Sequence, residues 1–186
     1  MMFERDLPGE NSMGFNNTGI SDEVPLEMCE TMNGSWGFNI IDQNYKSVRQ
    51  LIHTMVRAAG FGANFLLNTG PMPNGKIQPE NVDTLMAIGS WLESYGDAVY
   101  GTRKGPIRPQ EWGATVTKGN LTYIHVLEYK GREIEIKGIP SDRIRSAVYF
   151  DDGSRADIKR TADGITITIP KRKMKPIDTI LVLTMM

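Results

Sequence analysis

Apolar positions along this chain recur with two different periods, and the change falls near residue 102. From Asn44 the spacing is helical: Val48, Leu51, Ile52, Met55, Val56 and Ala59 fall on one stripe, while Lys46, Arg49, Gln50 and His53 face away from it. Gly60 and Gly62 end that helix. The run Asn64-Phe65-Leu66-Leu67-Asn68 follows and stops abruptly at the turn-rich tip Thr69-Gly70-Pro71-Met72-Pro73-Asn74-Gly75. A buried parallel strand reads this way, and its carboxyl end is where α/β folds build their sites. A second helix starts after Gln78-Pro79-Glu80, with proline in the first turn and acids that complement the dipole. Val82, Leu85, Met86, Gly89 and Leu92 are its expected buried face, and Gly96 ends it.

Helix, strand and helix in succession give the rhythm of a parallel sheet with helices outside. Beyond about Thr102 the pattern becomes short strands, several of them alternating: Thr122–Leu127, Glu133–Ile136, Ala147–Phe150, Ile165–Ile169 and Thr179–Leu183. Lys130-Gly131, Asp151-Asp152-Gly153 and Asp163-Gly164 are expected hairpin turns between them. An antiparallel sandwich or half-barrel is the expected product, with the boundary at Gly101–Pro109. Residues 1–43, rich in Gly, Asn, Ser and Met, read as long loops around one or two short strands.

Composition narrows the function classes. The 186 residues are 40% hydrophobic and 23% charged, with a net charge of −1 and a pI near 6.1. No basic field exists to collect nucleic acid by counterion release, and no apolar run approaches the ~18 residues of a membrane span. A neutral small molecule or a glycan fits this charge better. The single cysteine, Cys29, excludes an internal disulfide and a cysteine-rich zinc site. His53 on a polar helix side and His125 in a strand have no neighbouring Asp, Cys or second His in sequence, so both read as structural or surface residues. Trp91 reads as core or domain interface. The triplets Asn16-Asn17-Thr18, Asn33-Gly34-Ser35 and Asn120-Leu121-Thr122 fit the glycosylation pattern, which is common by chance. Lys171-Arg172-Lys173 with Lys175 reads as a solvated strand end. Met1 to Asp6 carries neither a basic nor an apolar leader region, so no signal peptide is expected and localisation stays open.

Three blocks carry a resemblance: Glu27-Met28-Cys29-Glu30-Thr31 leading into Ser35-Trp36-Gly37-Phe38-Asn39; Asn64 to Gly75; and Ile88-Gly89-Ser90-Trp91-Leu92 leading into Tyr95 to Thr102. In this order and spacing they resemble the C-terminal part of the retaining α-L-fucosidases, the gut-bacterial branch most closely. The resemblance runs from about Phe3 to the end and is strongest between Glu27 and Thr102. It implies an α/β plus all-β fold: residues 1–102 as the C-terminal part of a (β/α)8 barrel, followed by residues 103–186 as an antiparallel β-sandwich. It also implies hydrolysis of α-linked L-fucose from glycans with retention, by an Asp nucleophile and a carboxylic acid/base, with no metal or organic cofactor. Members are often exported.

Retention needs two carboxyl groups about 5 to 5.5 Å apart. The block Phe3-Glu4-Arg5-Asp6-Leu7-Pro8-Gly9-Glu10-Asn11 resembles the family's acid/base loop, which places Glu4 in the acid/base position, with Glu27 as runner-up. Trp36 matches an aromatic that lines the fucose pocket against the sugar's apolar face and 6-methyl group. Without the resemblance, Glu4 and Glu27 would read as solvated acids and Trp36 as a core ring. Asp6, Asp22, Asp42, Asp83 and Asp97 are the nucleophile candidates here, and none ends an apolar strand run. A barrel takes at least about 200 residues, so the nucleophile's strand is expected upstream of Met1. The chain alone is then expected to be inactive and poorly stable in its first hundred residues, with a separately supplied N-terminal barrel half as a possible partner. The alternative is a non-catalytic glycan-binding or docking module built on the sandwich.

Overall fold

The computed structural model describes residues 26–131 and 133–186. They divide into two compact units, one ending at Ala58 and resuming over Ala63–Gly96, the other comprising Ala59–Gly62 and Asp97–Met186.

The first unit is built on two parallel strands, β1 (Leu26–Thr31) and β2 (Ala63–Asn68), joined through helix α1 (Val48–Phe61) and followed by α2 (Pro79–Tyr95). Leu26 pairs with Ala63 and Thr31 with Asn68, so the carboxyl ends of the strands are level. Leu26, Met28, Ala58 and Ala63 form a small core with Phe65 against it. By the pleat, the register pairs Glu27–Asn64 and Cys29–Leu66 turn to the opposite face. That face is open enough to leave Leu66 40% exposed.

Helix α2 is rotated from the face expected of it. Asn81, Ile88 and Trp91 are buried, while Val82 and Met86 are exposed. The Trp91 indole, the largest apolar group on the helix, takes the inner side and stacks obliquely on Tyr95 with ring centroids 5.2 Å apart. Burying that ring outweighs burying Val82 and Met86, whose combined apolar gain is divided over two smaller side chains.

The second unit contains two antiparallel sheets. Five strands run in the order β3 (Arg103–Lys104), β4 (Gly113–Lys118), β5 (Leu121–Val126), β10 (Thr179–Met185), β7 (Ile144–Tyr149). Three run in the order β6 (Ile134–Lys137), β9 (Gly164–Ile167), β8 (Ile158–Arg160). Ile124, Leu181 and Leu183 from the larger sheet and Ile136, Ile165 and Ile167 from the smaller share one core.

The turns sort differently from their sequence signals. Asp163-Gly164 does join a hairpin, β8 to β9. Lys130-Gly131 does not: β5 and β6 lie in different sheets, so this turn belongs to a crossing segment. Asp151-Asp152-Gly153 closes a tight turn in which Gly153 N–H donates to Tyr149 O, after which β7 and β8 part into separate sheets. The tightest hairpin, β4 to β5, turns on Gly119-Asn120, with Gly119 at φ +61°. A two-residue turn of this hand matches the strand twist and favours glycine.

One buried polar pair links distant parts of this unit. His125 on β5 sets Nδ1 2.6 Å from Asp178 Oδ2 and Nε2 3.1 Å from the Ala98 carbonyl, and both side chains are essentially inaccessible. Each contact requires a hydrogen, since a carbonyl only accepts. The histidine is thus a structural residue, but one with a carboxylate partner that lies 53 positions away in sequence. Replacing His125 by Ala is expected to cost about 3–5 kcal/mol, because Asp178 is left buried without a partner. Leu181→Ala is expected to cost about 2–5 kcal/mol through the cavity it leaves. Urea unfolding followed by tyrosine and tryptophan fluorescence measures both; a loss below 1 kcal/mol for His125→Ala would contradict the pair's structural role.

Candidate functional site

The carboxyl ends of β1 and β2 carry the first unit's polar network, and it starts with an acid in an inward position. Glu30 is 6% exposed near the end of β1, and a buried carboxylate is tolerated only when paired. Lys46, just before α1, supplies the charge: its Nζ lies 3.0 Å from Glu30 Oε1. The same ammonium donates to the Thr31 carbonyl at 2.8 Å, to Thr31 Oγ1 at 3.0 Å and to the Asn33 carbonyl at 2.9 Å. Glu30 Oε1 also accepts the Thr31 N–H at 2.9 Å, and the Thr31 hydroxyl donates to the Asn33 carbonyl. One cation thereby holds the point where the strand becomes a loop.

The loop from Met32 to Ser47 is organised by its own polar side chains. Ser35 Oγ donates to Asp42 Oδ2 at 2.8 Å, Asn39 Nδ2 donates to Ser35 Oγ at 3.2 Å, and Asn44 N–H donates to Asp42 Oδ1 at 3.2 Å. The Ser35 hydroxyl bond holds the Asp42 carboxyl below its ordinary value, with the Asn44 and Gly34 backbone and the Lys46 charge helping. Trp36 sits in this loop with its side chain 53% exposed. Its carbonyl accepts a 2.6 Å bond from Asn68 Nδ2 at the end of β2. Beside it, Gly70 passes so close to Gly37 and Phe38 that a Cβ would lie 2.4 Å from their backbone, so only glycine fits there.

The loop after β2 is tied to the same rim. Thr69 Oγ1 accepts from Asn81 Nδ2 at 2.6 Å, and Gln78 Nε2 donates to Tyr45 OH at 2.9 Å. An exposed indole beside strand-end amides offers an aromatic face to C–H groups, flanked by neutral donors and acceptors that suit hydroxyls.

Of the residues singled out from the sequence, Trp36 is on this rim. Glu27 is half-buried on the open sheet face near the amino end of β1, four residues and roughly 13 Å before Thr31 at about 3.3 Å per residue. Glu4 lies outside the described residues. Glu30, Lys46, Asn68 and Asn81 were not singled out. An acid at an inward strand position with a lysine before the next helix is the one signal that could have found the first pair. No group of three or more His, Cys, Asp or Glu among the described residues could hold a metal ion, and no helix there is long and apolar enough to cross a membrane.

Comparison with known proteins places this geometry in context. Residues 1–97 match the family model described as Alpha-L-fucosidase. An α-L-fucosidase from Dictyostelium discoideum is 30% identical over 158 residues, covering 77% of this chain and 34% of its own. Among solved structures, α-L-fucosidase isoenzyme 1 from Paenibacillus thiaminolyticus is 28% identical with a TM-score of 0.79, over 97% of this chain and 44% of that one. A Bacteroides thetaiotaomicron α-L-fucosidase, trapped as a covalent intermediate in complex with 2-fluoro-fucosyl fluoride, is 26% identical with a TM-score of 0.74, over 86% and 38%. The chain spans about a third of the length of the curated relatives it matches.

Removing the central cation tests the rim directly. Lys46→Met leaves Glu30 buried and unpaired, an expected cost of about 3–5 kcal/mol; hydrogen exchange of the Thr31–Asn33 amides should accelerate, and unchanged protection would contradict the arrangement. Asp42 contributes order that is present above the ordinary carboxylate pKa of about 3.9 and is lost as pH falls through its depressed native value. An NMR titration should place its midpoint below that of a model aspartate, and Ser35→Ala should raise it.

Proposed function

The chain belongs to the α-L-fucosidase family, and from that premise we propose that its 186 residues supply the acid/base and part of the sugar pocket of a retaining α-L-fucosidase. In this reading residues 1–102 are the C-terminal part of a (β/α)8 barrel and residues 103–186 an antiparallel β-sandwich, a division a few residues beyond the one between the two compact units. The observation that carries it is Trp36: an exposed ring at the carboxyl ends of parallel strands, its backbone tied to Asn68, in a chain that matches this family.

The mechanism follows from the two-carboxyl scheme. Glu4 protonates the glycosidic oxygen as the bond to fucose breaks, and an Asp on a strand outside these residues attacks the anomeric carbon to give a glycosyl-enzyme. Glu4, now a carboxylate, then takes a proton from water as that water displaces the Asp, releasing fucose with its configuration retained. Trp36 packs on the apolar side of the sugar and its methyl group. Glu27 is the weaker candidate for the acid, because it sits toward the amino end of its strand while α/β sites form at the carboxyl end. Glu30 is committed to Lys46 and leaves that role open. The substrate is a fucosylated glycan, and the relative trapped with a fluorinated fucosyl fluoride supports the sugar and the covalent route alike.

Assay with an aryl α-L-fucoside tests this at two levels. The 186-residue chain alone should show no turnover above a Glu4→Gln control, and turnover would refute the need for a nucleophile from elsewhere. Co-expressed with a segment supplying the remaining barrel strands, it should hydrolyse the substrate. There Glu4→Gln should lower kcat about 10²- to 10⁴-fold and Glu27→Gln should leave it within the same order of magnitude; the reverse pattern would exchange their roles. Trp36→Ala should weaken substrate binding by about 0.5–1.5 kcal/mol, read in KM.

A further inference from the structure

The outer strand of each antiparallel sheet, β7 in one and β8 in the other, borders a groove of about 460 Å3. That volume falls in the range of small-molecule sites. Its lining is chemically one-sided: Arg145, Arg155 and Arg160 contribute three guanidinium groups against the single carboxylate of Asp157, with Ser146 adding a hydroxyl. Among the described residues none of these three arginines forms an ion pair. Elsewhere in this unit some lysines find carboxylates, as Lys173 does with Asp152 at 2.6 Å and Lys175 with Asp151 at 3.1 Å. Among the described residues the groove lining therefore carries an excess of positive charge, three guanidinium groups to one carboxylate.

One of the three is already fixed. Arg160 donates through Nη1 to the Ser141 carbonyl and through Nη2 to the Ile144 carbonyl at 2.7 Å. All three are exposed; Arg160 is tied to the main chain by these bonds, while the Arg145 and Arg155 side chains have no hydrogen-bond acceptor among the described residues. No lining residue is aromatic, so a neutral sugar would find no stacking platform, whereas a guanidinium group matches the planar or trigonal oxygens of a carboxylate or sulfate. Strand addition by a peptide is disfavoured, because the outer edge of β7 is already occupied: Ala156 N–H donates to Ala147 O and Tyr149 N–H to Ser154 O, both at 2.9 Å or less. The chain's net charge of −1 offers no extended field for a polyanion such as nucleic acid.

We propose that the groove between β7 and β8 binds an acidic sugar residue, one carrying a carboxylate or a sulfate, through Arg145, Arg155 and the fixed Arg160. The choice of a sugar over another small anion rests on the family's glycan substrate; the choice of an anion rests on the groove alone. All its lining residues belong to the second unit.

The test uses the whole 186-residue chain, 15N-labelled and titrated with four probes: a sialylated trisaccharide, its sulfated counterpart, their neutral parent and inorganic sulfate. At least one acidic trisaccharide should shift the amides of residues 144–148 and 155–160, and which one does so distinguishes carboxylate from sulfate. The double substitution Arg145→Ala with Arg155→Ala should weaken that binding about tenfold or more, in a protein whose dispersed spectrum shows it folded, and the corresponding double lysine variant should recover part of it. Equal shifts from the neutral parent, no shift from either acidic glycan, or unchanged affinity in the double variant would overturn the proposal. Sulfate binding as tightly as the glycans would reduce the site to a simple anion hole and overturn its assignment to a sugar. Because the readout needs neither hydrolysis nor fucose, its failure leaves the fucosidase reading to its own assay, and a failed assay leaves the anion selectivity measurable.

Discussion

The first unit depends on a single ammonium group. Where β1 stops, the chain must leave regular pairing while two carbonyls, a hydroxyl and one carboxylate need a partner, and Lys46 contacts all four of those oxygens. A buried charge with one partner removed costs several kcal/mol, so the loop that follows has little freedom to begin anywhere else. Asn68 then fixes the Trp36 backbone from the neighbouring strand, and the close passage of Gly70 by Gly37 sets the distance between the two loops. The indole is thus exposed yet anchored through its own main chain. For an exposed ring held in this way, the entropy of ordering its loop has been met in folding.

The second unit is organised by apolar burial, with one polar exception. Isoleucines and leucines of β5, β6, β9 and β10 fill the space between two sheets, and His125 with Asp178 ties β5 to the segment entering β10 and to the turn at Ala98. Such a pair fixes which strand stands beside which, since a slipped register would strand a carboxylate in the core.

Much of this was legible in the sequence where periodicity was strong. The stripe Leu51, Ile52 and Val56 does face inward in α1, and the runs around Ile124, Ile165 and Leu181 are strands. Strand β4 was passed over because Gly113-Ala-Thr-Val-Thr-Lys118 carries small side chains whose alternation is faint, although Ala114 and Val116 are fully buried. The face of α2 differs from its sequence pattern because burial of one indole, Trp91, prevails over a stripe of five modest apolar residues. Turn signals proved local: Lys130-Gly131 turns the chain but cannot say into which sheet it goes. The partnership of His125 with Asp178 is a property of tertiary pairing, which no window of sequence contains. At the candidate site, Trp36 stands exposed on the rim where the resemblance led it to be expected, while the Glu30–Lys46 pair is visible only through burial, which shows that an acid needs a cation.

The position of β10 has a consequence for how this unit comes into being. Although it is the latest described strand in sequence, it stands inside the five-stranded sheet rather than at its edge, with β5 on one side and β7 on the other. Neither neighbour has its full set of main-chain bonds until Thr179–Met185 arrives, so the sheet closes through contacts of long sequence separation and folds slowly and cooperatively. During synthesis, β5 and β7 must wait for it as open edges, the form in which strands most readily pair with the wrong chain.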